Sequence, residues 1–328
     1  MSNHLKRYLL AGVVSLSVFP FGNPVQAADV MEGVKPVGRI GKVSGTGPYP
    51  ALAEAVAGMR NNTLYHPATM PARSLPLVIW GEGGCRDDGL RYSHFLREIA
   101  SHGFFIIAGG YPRQEREVAG ATPAQPVPPP ADAAPRTVEP GNTNVDQLLA
   151  AIDWAEEQTT DPQSPFYHQI DTSRVGIMGH SCGGLQAIAV AGDPRVATTI
   201  AFNSGVLIKL PDFAKENANL VVEKSGLEKL HGPIAYINGG PEDIAYENAE
   251  DDFRLLKHVP VFFAENGVGH GGTFVFDENG GEYAQVAVHW MDWQLNGNAE
   301  AGRWFTGPDC ALCTRTGWKV RTKNMSGM

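Results

Sequence analysis

Gly179-His180-Ser181-Cys182-Gly183 places one serine between two glycines. An apolar run, Val175 to Met178, comes before it, and a stretch suited to a helix, Gly184 to Ala191, comes after it. A strand, a tight turn and a helix in that order lift a hydroxyl clear of the backbone, and the glycines prevent flanking side chains from colliding. With 38 glycines in 328 residues, roughly 0.17 matches to the bare pattern arise from composition alone. The flanking strand and helix therefore carry the reading of Ser181 as a nucleophile.

A serine hydroxyl is a poor nucleophile until an imidazole takes its proton, so a histidine is needed on another loop. His270 follows an apolar run beginning at Val261, lies in Gly267-Val268-Gly269-His270-Gly271-Gly272, and precedes the last helical pattern. His94, His102 and His289 fall in predicted helices, whereas His180 is tied to the position beside the serine, facing away from it or lining a pocket. A carboxylate must then hold the imidazole's tautomer and stabilise its cation. Asp243 is placed for this after the run Ile234 to Ile237, giving the chain order serine, acid, histidine. Glu242 is its nearest rival, and Asp251 and Asp252 read as solvated acids near the start of the next helix.

Attack on a carbonyl also concentrates negative charge on one oxygen, which preorganised backbone N–H groups can hold. The N–H of Cys182 is one expected donor. The other is expected from Glu82 or Gly83, in Gly81-Glu82-Gly83-Gly84-Cys85 after the apolar run Leu75 to Trp80. If both donors converge on one oxygen, Cys85 and Cys182 are neighbours. Of the three connectivities open to Cys85, Cys182, Cys310 and Cys313, Cys85–Cys182 with Cys310–Cys313 is therefore favoured. Cys310-x-x-Cys313 is half of a zinc-ribbon pattern, but no nearby cysteine or following histidine completes it, so no metal is expected.

The elements that must position these residues alternate. Predicted strands cover Leu75 to Trp80, Phe104 to Ala108, Val175 to Met178, Val196 to Phe202, Ile234 to Ile237 and Val261 to Ala264. Helices are predicted over 89 to 102, from a Thr143 cap through Trp154, over Gly184 to Ala191, and from about Tyr283 to Leu295. Such alternation implies an α/β fold with a mostly parallel sheet covered on both faces, whose chemistry lies in the loops at the carboxyl ends of its strands. Trp80, Trp154 and Tyr111 are candidates for either pocket or core, Trp154 for core. Ala121 to Pro140 holds too many prolines for a helix or a central strand and reads as a loop.

Lys6 and Arg7, the apolar run Tyr8 to Phe21 and the small residues around Ala27 read as a cleaved export signal over residues 1–27, followed by one domain over 28–328. Removing that signal takes away two cations and no acid, moving the formal charge from -9 to -11. An acidic surface disfavours nucleic acid, and no later run is long and apolar enough for stable membrane insertion. A secreted or periplasmic location and neutral substrates fit better.

Together these residues resemble the α/β-hydrolase superfamily from about Gly45 to the C-terminus. Gly45-Thr46-Gly47-Pro48-Tyr49 and Trp80-Gly81-Glu82-Gly83-Gly84-Cys85 resemble segments of the platelet-activating-factor acetylhydrolase, dienelactone hydrolase and polyester hydrolase branch, the latter as its oxyanion loop. Gly179 to Gly184 resembles its nucleophile elbow, and the loops around Asp243 and His270 resemble those of secreted members. The resemblance implies a serine esterase of the α/β-hydrolase fold, without cofactor, acting on a small-molecule or polymeric ester. The oxyanion loop lacks the His-Gly-Gly-Gly form of hormone-sensitive-lipase relatives, and Ser181 stands where true dienelactone hydrolases have cysteine, so neither activity is expected. The alternatives are amide or peptide cleavage on the same triad, or a binding protein that keeps the fold.

Overall fold

The computed structural model describes residues 38–56, 59, 61–112, 142–210, 222–274 and 277–326. The export signal expected over 1–27 and the proline-rich loop expected over 121–140 lie outside the described residues.

Two apolar clusters, one on each side of a single sheet, explain why the central strands read as continuous apolar runs. Along the strand Leu75–Gly81, Val78 and Trp80 pack into one cluster with Phe95, Phe202 and Trp290. Leu77 and Ile79 pack into the other with Leu148, Ile188 and Phe263. Side chains alternate across a strand, so burying both faces demands apolar residues at every position.

The sheet has ten strands in chain order: β1 (Gly38–Ser44), β2 (Ala51–Ala55), β3 (Asn62–Pro67), β4 (Leu75–Gly81), β5 (Phe105–Gly109), β6 (Ile170–His180), β7 (Val196–Phe202), β8 (Ile234–Asn238), β9 (Val261–Glu265) and β10 (Lys319–Lys323). Across the sheet they run β1-β2-β3-β5-β4-β6-β7-β8-β9-β10. The six from β5 to β9 are mutually parallel; β1 to β3 and β10 pair antiparallel at the two ends. This is the mostly parallel, helix-flanked α/β-hydrolase architecture. Chain order reverses at β4, whose neighbours are β5 on one side and β6 on the other. Adjacent crossovers then leave in opposite directions, and in open α/β sheets ligands bind beyond the carboxyl ends of the strands at such a point, here β4 and β6.

Helices α1 (Ser93–Ser101) and α5 (Gly281–Asn296) contribute to the cluster containing Trp80. Helices α2 (Val145–Thr160), α3 (Cys182–Val190) and α4 (Tyr246–Leu255) contribute to the other; a short α6 (Ala299–Gly302) follows α5.

Several boundaries differ from expectation: the helix expected from residue 89 begins at Ser93, the strand expected over Val175 to Met178 runs Ile170–His180, and two further shifts have local reasons. The side chain of Asn144, not Thr143, caps α2 by accepting the Gln147 N–H at 2.8 Å, while Thr143 is buried against Gln186. Helix α3 begins at Cys182 rather than Gly184, so Cys182 is the first residue of a helical turn and its N–H has no intrahelical acceptor. Trp80 is fully buried, Tyr111 nearly so, and Trp154 packs partly buried against the core.

Candidate active site

The turn from β6 into α3 forces Ser181 to φ 54° and ψ -118°, outside the usual range for a residue with a side chain. Its surroundings over-determine that strained conformation. The Ser181 N–H donates to Phe202 O at 3.0 Å, and Ser181 O accepts from Ser204 Oγ at 2.8 Å and from the Gly184 N–H at 2.9 Å. The second motif glycine has a separate reason: a Cβ on Gly183 would stand 2.1 Å from the carbonyl carbon and oxygen of Gly81 and 2.5 Å from Glu82 N. The end of β4 and the turn after β6 therefore touch backbone to backbone, which places the Glu82 amide nitrogen against the start of α3.

Asp243 lies in the loop after β8 and is 3% exposed. Its Oδ1 meets His270 Nδ1 at 2.6 Å and accepts the Ala245 N–H at 2.9 Å. Its Oδ2 accepts from Asn203 Nδ2 at 2.7 Å and from the Gly239 N–H at 3.1 Å. Burial alone would push this carboxyl upward, but the hydrogen bonds from His270, Ala245 and Asn203 outweigh it and hold its pKa below the ordinary value. The group is an anion at neutral pH.

His270 lies on the glycine-rich loop after β9. Its Nε2 is 2.9 Å from Ser181 Oγ. The loop is tied down by the Gly269 N–H on Gly239 O at 2.7 Å and by Asn203 Nδ2 on Gly269 O at 3.0 Å. Ser181, His270 and Asp243, from three different loops, thus form one hydrogen-bonded line at the carboxyl edge of the sheet. Glu242 is exposed and takes no part.

The residues of the loop after β4 meet the turn after β6 from the other side. Cys85 and Cys182 are joined by a disulfide, as are Cys310 and Cys313, which is the favoured connectivity. The Glu82 side chain turns inward, fully buried, with Oε1 accepting Trp80 Nε1–H at 2.9 Å. Burial, reinforced by Asp88, raises its pKa well above the ordinary value, which favours the protonated form.

The sequence reading missed several side chains. Asn203, which orients both Asp243 and the His270 loop, is the first residue after β7 and has φ 44°. Its place at a strand's carboxyl end, on a residue type tolerant of positive φ, was the available signal. His180 neither faces away nor simply lines a pocket: Nδ1 is 2.8 Å from Tyr92 Oη and Nε2 is 2.8 Å from His270 O. Asp252 is not solvated. It is fully buried, accepting the Val206 N–H at 2.7 Å and Lys224 Nζ at 2.6 Å, because the loop after β7 folds over the acidic face of α4. Asp251 pairs with Arg254 and Lys224.

Ile244, next to Asp243, and Val268, two residues before His270, are exposed apolar side chains, Ile244 at 78%. No group of acids, histidines and cysteines that could hold a metal occurs among the described residues, and no described helix is long and apolar enough to cross a membrane.

Residues 132–204 match the family described as PETase, PET hydrolase-like. No curated protein matches the chain. The matched segment runs through β6, the Ser181 turn, α3 and β7, and stops before Asp243 and His270. The chain is thus an α/β-hydrolase-fold protein, similar through its serine-bearing segment to the PET hydrolase-like family of polyester hydrolases.

Proposed function

We propose that this protein is an exported serine hydrolase of carboxylic esters, with Ser181 as nucleophile, His270 as general base and acid, and Asp243 as the orienting carboxylate. The observation that carries this reading is the His270 imidazole held between Asp243 Oδ1 at 2.6 Å and Ser181 Oγ at 2.9 Å. Asp243 is ionised and accepts from Nδ1–H, which leaves Nε2 as the lone-pair nitrogen facing the hydroxyl.

The Ser181 Oγ attacks the ester carbonyl carbon while its proton passes to His270 Nε2. The carbonyl oxygen takes the negative charge and is held by the Cys182 N–H and a backbone N–H from Glu82 or Gly83. Collapse expels the alcohol, which receives the proton from His270. Water then attacks the acyl-enzyme, giving its proton to His270, and the acid departs as Ser181 Oγ regains a proton. The exposed aliphatic side chains beside the acid and base favour an apolar substrate, and the PET hydrolase-like match favours a polymeric ester among the candidates. Two disulfides suit an oxidising compartment.

Ser181→Ala, checked for an unchanged circular dichroism spectrum, is expected to lose nearly all turnover of p-nitrophenyl esters and all labelling by a fluorophosphonate probe. Retention of wild-type turnover would falsify the assignment. Esters graded by chain length and aromaticity, set beside aminoacyl amides, define the substrate class.

A further inference from the structure

We propose that His180 and Tyr92 are positioning residues for this reaction: the His180 imidazole, oriented by the Tyr92 hydroxyl, holds the backbone carbonyl of His270 and so sets the distance from the base to Ser181. The inference rests on the hydrolase reading above.

The proton placement follows from the partners. His270 O only accepts, so His180 Nε2, 2.8 Å away, carries the hydrogen. A neutral imidazole has one N–H, so Nδ1 accepts and Tyr92 Oη, at 2.8 Å, donates to it. The Tyr92 oxygen accepts in turn from Arg91 Nε at 3.4 Å. Burial, with His270 nearby, lowers the His180 pKa to about 3, against weaker support for the cation from Asp243, so the single-donor form persists at working pH.

The clamp matters because of where its two ends lie. His180 is the last residue of β6 and immediately precedes Ser181, whereas His270 sits on a loop with positive φ at Gly267, Gly269 and Gly272. Two further ties on that loop's backbone, through Gly239 and Asn203, reach Gly269 and register it against the acid loop and β7, while Asp243 holds the His270 ring. The His180 bond grips residue 270 itself and registers it against the nucleophile's own strand. The oxyanion loop packs on the same pair: a Cβ on Gly83 would stand 2.4 Å from both His180 Nδ1 and Tyr92 Oη.

The test compares His180→Phe, His180→Gln, Tyr92→Phe and Ser181→Ala on p-nitrophenyl esters, with thermal midpoints and circular dichroism for each. A small misplacement of reacting groups costs about 10²-fold, so H180F is expected to lower kcat by that factor with KM changed less than about threefold. H180Q keeps an N–H donor and an acceptor on one side chain, and is expected to recover kcat to within about tenfold of wild type. Y92F is expected to lower kcat about tenfold while folding normally. Wild-type kcat in a folded H180F, or equal losses in H180F and H180Q at matched thermal midpoints, overturns the clamp. Should H180F fail to fold, wild-type kcat in Y92F overturns it. Turnover surviving in S181A would instead sink the hydrolase reading, so the two failures are distinguishable.

Discussion

Cys182, the residue after Ser181, is disulfide-bonded to Cys85 on the loop after β4, closing a chain separation of 97 residues. The bond joins the two loops expected to supply the oxyanion donors. A cross-link across about 100 residues stabilises by up to about 4.7 kcal/mol in the chain-entropy picture, and 2–4 kcal/mol is typical. The Cys85→Ala/Cys182→Ala double variant keeps both backbone N–H groups but is expected to lose about 2–4 kcal/mol in urea denaturation, together with a fall in kcat. Cys310–Cys313 spans a separation of 3, so its removal should cost far less. Equal losses from the two pairs would contradict the role assigned to the Cys85–Cys182 bond.

Asp243→Asn preserves shape but removes the charge that fixes the His270 tautomer, and kcat should fall about 10³–10⁴-fold. The carboxyl's pKa lies below its ordinary 3.8 in the folded state. Its stabilising contribution is therefore complete above 3.8 and is lost as pH falls through the lower folded value. Acid denaturation curves of D243N should accordingly be shallower below pH 3.8 than those of wild type.

Glu82 carries the opposite sign. Its folded pKa is raised well above 4.5, so above pH 4.5 the unfolded chain releases a proton that the folded chain keeps. Stability then falls with rising pH, by up to about 1.4 kcal/mol per unit until the folded value is reached. Glu82→Gln retains an acceptor for Trp80 Nε1–H and does not titrate. Denaturation at pH 8 should find E82Q more stable than wild type, an advantage that vanishes below pH 4.5.

Gly183→Ala sets a methyl against the Gly81 backbone, which has no flexible end to yield. Overpacking of this kind costs about 1–3 kcal/mol or more, and moving the start of α3 should also depress kcat. Gly226→Ala, where nothing lies within 4 Å of the added carbon, is the control and should leave both unchanged.

Motifs and periodicity were enough to nominate Ser181, Asp243 and His270 and to outline the parallel strands, because local rules govern both. A strand buried on two faces must be apolar throughout, and a serine on a sharp turn needs glycine beside it. Strands β1 to β3 and β10 escaped notice because their residues satisfy no such rule. Ala51–Ala55 has the composition of a helix and is extended only because β1 and β3 pair with it on either side. The same holds for the supports of the site. The buried Asp252, in the second half of α4, reads like any solvated helix acid, and the inward turn of Glu82 depends on Trp80 lying in reach. Asn203 at the end of β7, and the His180 ring between Tyr92 and residue 270, acquire partners some 40 to 90 positions away in the chain. A hydrogen bond between such distant groups has no local signature: it exists because the sheet order reverses at β4 and brings the carboxyl ends of several strands to one rim.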